Sequence, residues 1–348
     1  MDEYNDAGAL TMKIMHILPE FEEGGVERHV LLLTTELEKR GHSLCVVSHG
    51  GKLSSLLPSS VQQCMLPVHR KNPLIALSCA LKIARMVRAQ RWQLLHVHSR
   101  VPAWIAWVVH ALTGVPWVAT AHARYSLNYG IRPLRSADAV ISISRTVQEH
   151  LVGCLPQECV VIQNALPDEP HARAVLPPPP WRFLYVGRLT RLKGVEVLLE
   201  ALSSVSGAWE LDILGDGPQR KELESRAEAL SLSEKVHFHG FCEDVETWLS
   251  RSHLFLFPSM NEGMGLSLMQ AVRAGCPVLA SDIEAVAELL GTHEGLLPPG
   301  SIVEWAQRIQ DVISGHAKLP CYFIKIPDQG EMAADTERLY RKILPREC

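Results

Sequence analysis

The chain has 348 residues, 47% of them apolar, and a formal net charge of −4. That length suits two domains of ordinary size, and the near-balanced charge excludes the broad basic face of a nucleic-acid-binding protein. Its nine cysteines are scattered, with no CxxC pair, which argues against a zinc site or disulfide framework and for reduced thiols in a cytoplasmic protein.

Residues 1–11 are polar and acidic and read as a frayed tail rather than a signal peptide. Short apolar runs then predict strands at 13–18, 44–48, 94–98, 117–121, 140–143 and 160–162. Between the first two, residues 26–40 read as a helix stopped at Gly41. The most apolar stretch, 101–121, is interrupted by Pro102, His110, Gly114 and Pro116. A membrane span needs roughly 20 unbroken apolar residues, so this stretch reads as a helix over 103–112, a turn and a strand.

Residues 166–180 contain Pro-Asp-Glu-Pro and four consecutive prolines and read as a stiff linker. The second half repeats the scheme. Strands are predicted at 183–186, 211–214, 236–239, 254–257 and 278–280, with helices at 195–202, 219–230, 244–250, 266–274 and 303–313. Fully apolar strands separated by helices imply parallel sheets covered on both faces. The expectation is an α/β protein of two doubly wound, Rossmann-like domains, 12–165 and 181–325, facing across a cleft. Ligands of such sheets bind beyond the carboxyl ends of the strands. A last helix, 332–343 within the segment 331–348, is left free to pack back on the first domain.

Three segments carry chemistry. In Glu23-Gly-Gly-Val-Glu-Arg28, Gly24 and Gly25 let backbone approach a ligand, and free amides at a helix start suit an anion. An ordinary strand-to-helix turn has the same composition. GxGxxG and GxxxxGK[ST] are both absent, which argues against a nicotinamide cofactor or a P-loop. In Val186-Gly-Arg-Leu-Thr-Arg-Leu-Lys-Gly194, Gly187 ends a strand and places Arg188 and Lys193 at the sheet's carboxyl edge. Two cations there suit a diphosphate; the plain alternative is a solvated basic loop. In the run from Phe257 to Gln270, Glu262 precedes a helix starting near Gly265. Amides from Met264 to Ser267 suit a hydroxyl, a phosphate or the Glu262 carboxylate, which alternatively only complements the helix dipole.

Together these segments resemble family 4 of the retaining glycosyltransferases, with the GT-B fold, over nearly the whole chain. Gly-Gly-Val resembles the family's donor-phosphate loop, and Gly-Arg-Leu-x-x-x-Lys-Gly its pyrophosphate-binding Arg/Lys pair. Leu214-Gly-Asp-Gly-Pro218 resembles its Gly-x-Gly-Pro turn, and Pro-Ser-x-x-Glu-Gly-x-Gly-Leu the front of its Glu-x7-Glu motif. The second acid of that motif is here Gln270, which keeps hydrogen bonding but lacks charge. The resemblance implies catalytic roles for Glu262, Arg188, Lys193 and His122. It implies donor contacts from Gly24, Gly25, Gly187, Gly215, Gly263, Met264, Gly265, Leu266 and Gln270, with Phe241 in the base-recognition loop. Without it, His122 reads as a hydrogen-bonded strand-end histidine. His16, His96, His98 and His110 lie in apolar runs and read as structural or as supports behind the residues that touch a ligand.

The resemblance further implies retaining transfer of a sugar from a nucleotide-diphosphate sugar to a glycan or lipid-linked acceptor. His98-Ser-Arg-Val-Pro-Ala-Trp104 and Thr120-Ala-His122 resemble the subset acting on cell-envelope polysaccharide and lipopolysaccharide. The alternatives are a GT-B nucleotide-sugar epimerase or phosphorylase, and a catalytically silent nucleotide-sugar-binding protein, suggested by Gln270 alone. Asp-x-Asp is absent, so no metal or other cofactor is expected; protein cations and helix dipoles would replace the ion.

The first domain holds Arg70, Lys71, Lys82, Arg85, Arg88 and Arg91. The last four recur every three residues on a predicted helix, with Leu77, Ala80, Leu81, Ile83, Ala84 and Val87 covering much of the rest. This reads as a solvated face or as a patch for an anionic membrane surface, giving a cytoplasmic protein with peripheral contact at the inner membrane face as the sharper reading.

Overall fold

The computed structural model describes residues 11–22, 24–167, 179–291 and 294–344. It divides into two compact units, Met1–Pro167 with Pro327–Cys348, and Asp168–Ile326. Most of the expected linker, residues 168–178, lies outside the described residues, as do Glu23 and all but one residue of the expected tail.

The first unit runs β1 (Lys13–Ile17), α1 (Gly25–Lys39), β2 (Ser43–Ser48), β3 (Gln62–Met65), α2 (Pro73–Gln90), β4 (Leu94–Val97), α3 (Arg100–Thr113), β5 (Trp117–Ala121), β6 (Ala139–Ser142), α4 (Arg145–Leu151) and β7 (Cys159–Val161). Its seven parallel strands lie in the order β3-β2-β1-β4-β5-β6-β7. The order reverses between β1 and β4, so right-handed crossovers place helices on both faces. Helix α1 shows why these residues form this element. Val30, Leu33 and Leu37 are fully buried on one stripe, each worth roughly 1.5–3 kcal/mol, and the chain leaves at Gly41 with φ +86°. Leu33→Ala would open a cavity costing about 2–5 kcal/mol.

The second unit runs β8 (Trp181–Val186), α5 (Val195–Ser203), β9 (Trp209–Leu214), α6 (Arg220–Ala229), β10 (Val236–Gly240), α7 (Val245–Arg251), β11 (Leu254–Phe257), α8 (Leu266–Arg273), β12 (Val278–Ser281), α9 (Glu284–Leu290), β13 (Leu296–Leu297) and α10 (Ile302–Ile313). Six strands pair in parallel in the order β10-β9-β8-β11-β12-β13, reversing between β8 and β11. The last helix, α11 (Gln329–Ile343), belongs to the first unit. Its Met332, Ala333, Leu339 and Tyr340 join the core containing Ile14, Val30 and Leu33.

Two expectations are corrected. Helix α2 ends at Gln90, and Arg91 is its left-handed cap at φ 56°, so the basic row loses its last member. Leu77 and Leu81, read with the helix's apolar side, are not part of its buried face: they are 47% and 45% exposed. No helix among the described residues is long and apolar enough to cross a membrane, and the eight cysteines among them are free thiols.

Candidate active site

In a doubly wound sheet the crevice forms where the strand order reverses. In the second unit those strands are β8 and β11, and their trailing loops carry Arg188, Lys193 and Glu262. Lys193 closes a tight turn, Arg191–Lys193, stopped by Gly194 at φ +68°. A Cβ at Gly194 would fall 2.1 Å from the Pro258 carbonyl oxygen, so only glycine lets the two loops approach this closely. The Met260 amide donates to the Leu192 carbonyl at 2.8 Å and ties them. Across this seam Lys193 Nζ donates to Glu262 Oε1 at 2.5 Å, with the carboxylate side chain 8% exposed. Arg188 is exposed on the same loop as Lys193. Beneath, Tyr185 is buried with its hydroxyl 3.5 Å from the Arg188 carbonyl. Burial, with the charge of Glu262, pushes that phenol far above its usual range.

The neighbouring loops are stitched to this one by backbone. Gly187 N donates to Leu214 O at 3.0 Å, Leu189 N to Asp216 O at 2.9 Å, and Gly215 N to Gly240 O at 2.6 Å. A Cβ at Gly215 would fall 2.1 Å from the Gly187 carbonyl oxygen, and its φ is +136°, so glycine is required there too. Gly187, Gly215 and the chain entering Phe241 thus form one surface. On the far side of Glu262, Gly263, buried Met264 and Gly265 lead into α8, whose first residue is Leu266. Gln270, one turn on, donates to Glu246 Oε1 at 3.5 Å, and Arg273 pairs with the same oxygen at 3.0 Å. A carboxylate therefore does stand beside Gln270, from α7 and already paired with a cation.

In the first unit the reversal falls between β1 and β4. Gly24 caps α1 with extended backbone and no side-chain partner, and Gly25 is the first helical residue. After β4 and β5 come His98 and His122, which join His16, His29 and His96 in one cluster. His16 Nδ1 lies 3.1 Å from His98 Nε2, and His98 Nδ1 lies 3.2 Å from half-buried His122 Nε2. His96 is held by Thr120 Oγ1 at 2.7 Å and by the Tyr340 hydroxyl at 2.5 Å. Burial pushes His16 down to about 3 and His29 down to about 4, and holds His96, His98 and His122 well below the usual imidazole range, so all five are neutral near pH 7. His110, read alongside them, instead contacts the Val115 carbonyl at 2.9 Å. Sequence reasoning missed His29. Its place one turn inside α1, four residues after Gly25, puts it near the strand end but does not by itself reveal its burial.

Two doubly wound domains, the second with paired charges at its reversal point, are the architecture of a GT-B group-transfer enzyme. The family described as Glycosyl transferases group 1 matches residues 168–326, and that described as Glycosyltransferase Family 4 matches residues 23–169. The chain belongs to this glycosyltransferase family. A phosphatidyl-myo-inositol mannosyltransferase of Propionibacterium freudenreichii subsp. shermanii is 28% identical over 312 residues, 79% of this chain and 77% of that protein. A lipopolysaccharide 1,6-galactosyltransferase of Salmonella typhimurium is 28% identical over 198 residues, 52% of this chain and 54% of its own length. Among solved structures, a glycosyltransferase from Rickettsia africae ESF-5 superposes with TM-score 0.82 at 20% identity, covering 97% of this chain and all of that one (100%). Anabaena HepE in complex with UDP-glucose superposes with TM-score 0.75 at 18% identity, covering 95% of this chain and 98% of its own.

Proposed function

We propose that the chain transfers a sugar, with retention, from a nucleoside-diphosphate sugar to a glycan or lipid-linked acceptor of the cell envelope. The observation that carries this is the Lys193–Glu262 pair at the β8/β11 reversal, with exposed Arg188 on the same loop as Lys193. An incoming diphosphate competes with Glu262 for the Lys193 ammonium. That frees the carboxylate to accept from hydroxyls of the donor sugar, while Lys193 and Arg188 stabilise charge growing on the leaving diphosphate. These cations take the part a divalent ion plays elsewhere, so transfer requires no metal. Gly187, Gly215, Gly263, Met264, Gly265 and Leu266 supply backbone around the donor, and the loop at Phe241 the base contact. Gly24 and Gly25 present helix-start amides to the phosphates, and His122 borders the transferred sugar. The HepE complex with UDP-glucose and the two relatives' names support this choice of donor and acceptor class.

The acceptor side extends to a membrane face on α2. Leu74, Leu77 and Leu81 are 77%, 47% and 45% exposed, and their spacing of three and four aligns them on one side of the helix. Exposed Lys71, Lys82 and Arg85 flank them, and Arg70, Ser78 and Lys82 line a cavity of about 460 Å³. An apolar stripe bordered by cations suits an anionic bilayer, at about 1 kcal/mol per basic residue near the surface.

A thermal-shift screen across UDP-, GDP- and ADP-sugars tests the donor. Saturation at about 100 times Kd stabilises by about 2.7 kcal/mol, and no shift with any of them overturns the reading. Liposome sedimentation at low and high salt tests the membrane face, which no binding at low salt removes.

A further inference from the structure

We propose that His29, His98 and His122 bind one borderline divalent transition-metal ion, Zn2+ or a chemical analogue, and that occupancy inhibits transfer by holding His122. The inhibitory half rests on the role proposed for His122 above; the binding half does not.

One ring nitrogen from each of the three lies within 4.8 Å of the others. His98 Nδ1 and His122 Nε2 are 3.2 Å apart, close to the roughly 3.3 Å that separates two nitrogens on a tetrahedral zinc with 2.0–2.1 Å bonds. His29 is 4% exposed, and its ring nitrogens make no well-formed hydrogen bond among the described residues, the Asn164 side chain being the polar group near them. Buried nitrogens without a good partner are costly, and coordination satisfies one of them once His29 closes from within 4.8 Å to about 3.3 Å, a shift of at most about 1.5 Å. His98 turns its other nitrogen to His16 at 3.1 Å, the outer-sphere support that fixes a ligating imidazole. Burial keeps all three rings neutral, which is the ligating form.

The neighbouring trio His16, His96 and His98 is equally close, but both His96 nitrogens are engaged by Thr120 and Tyr340. An all-imidazole donor set selects zinc, cobalt, nickel or copper over magnesium and calcium. Half-buried His122 is the side from which an ion enters, and the position it leaves for a fourth ligand.

Co2+ titration of the full chain, followed by visible absorption and reversed by Zn2+, tests the site. The expected result is one ion per chain with a tetrahedral cobalt spectrum and no response to Mg2+. Binding falls about tenfold or more in His29→Gln and is unchanged in His69→Gln, a histidine outside the cluster whose ring lies tilted against that of His49. His98→Gln removes a ring held on two sides and can fail to fold, so His29→Gln, checked by metal-free melting, carries the test. In parallel, Zn2+ suppresses donor turnover by the wild type and far less by His29→Gln. No Co2+ binding, or binding undiminished in His29→Gln, overturns the site. Binding without loss of turnover overturns the inhibitory role. A wild type without turnover counts against the donor reading instead, and the cobalt titration still decides the site.

Discussion

The carboxyl edges of the two sheets solve opposite problems with the same topology. At the first, five imidazoles are packed inward and kept uncharged by burial. At the second, an ammonium, a guanidinium and a carboxylate sit on loops where water or a partner solvates them. A buried charge must be paired or neutralised. The first edge neutralises and becomes a rigid polar floor; the second pairs, and keeps charge ready for an anionic ligand.

The sharpest way to break this contrast is to remove charge from the second edge. Lys193→Ala and Glu262→Ala should each lower turnover by about two to three orders of magnitude, the loss typical of one preorganised electrostatic group, with melting behaviour near wild type. Wild-type turnover in either sinks its assigned role. Next in size is Gly194→Ala. A methyl group at φ +68° and 2.1 Å from the Pro258 carbonyl oxygen should cost about 1–3 kcal/mol and separate Lys193 from Glu262. Chemical denaturation and donor turnover should fall together; a variant as stable as wild type would show that the seam tolerates a side chain.

The first edge should be sensitive to acid. Burial lowers the folded-state pKa of His16 to about 3, below the unfolded value near 6.5. Its contribution to stability is therefore complete above about pH 6.5. It declines as pH falls through that value, because the unfolded chain takes up a proton that the folded chain refuses, and continues to fall to about pH 3. Melting temperature should drop between pH 6.5 and 4 less steeply in His16→Asn than in wild type; identical slopes would remove the assignment. The smallest effect is expected for Gln270→Glu, which sets a second carboxylate beside Glu246, 3.5 Å away in the present pair. Arg273 offsets part of the repulsion, so a loss of about 0.5–1 kcal/mol is expected, recovered in the double variant with Glu246→Gln. A double variant no more stable than the single would refute that coupling.

Most strands were legible because parallel strands covered on both faces are continuous apolar runs, as at Leu254–Phe257. Strand β3 was not: Gln62, Gln63 and Met65 are exposed on the sheet edge and carry no periodic signal. Helices α4 and α9, seven residues each, were not legible either: two turns carry little periodic signal, although the equally short α7 was legible. Arg188, Lys193 and Glu262 could be placed at strand ends from local pattern. The contact between Lys193 and Glu262, 69 residues apart, follows from β8 lying beside β11, which local pattern does not encode. His29 escaped for the same reason: its burial comes from rings contributed by distant strands.

The hydroxyl of Tyr340 reaches His96 from a helix made after the whole second unit. During synthesis the first unit therefore waits for its last wall while residues 168–326 are added, about 10–30 s at ordinary elongation rates. Through that interval Ile14, Val30 and Leu33 lack the cover of Met332 and Leu339. A nascent chain stalled in this window presents a greasy, half-roofed surface, and only the arrival of residues 329–343 closes it.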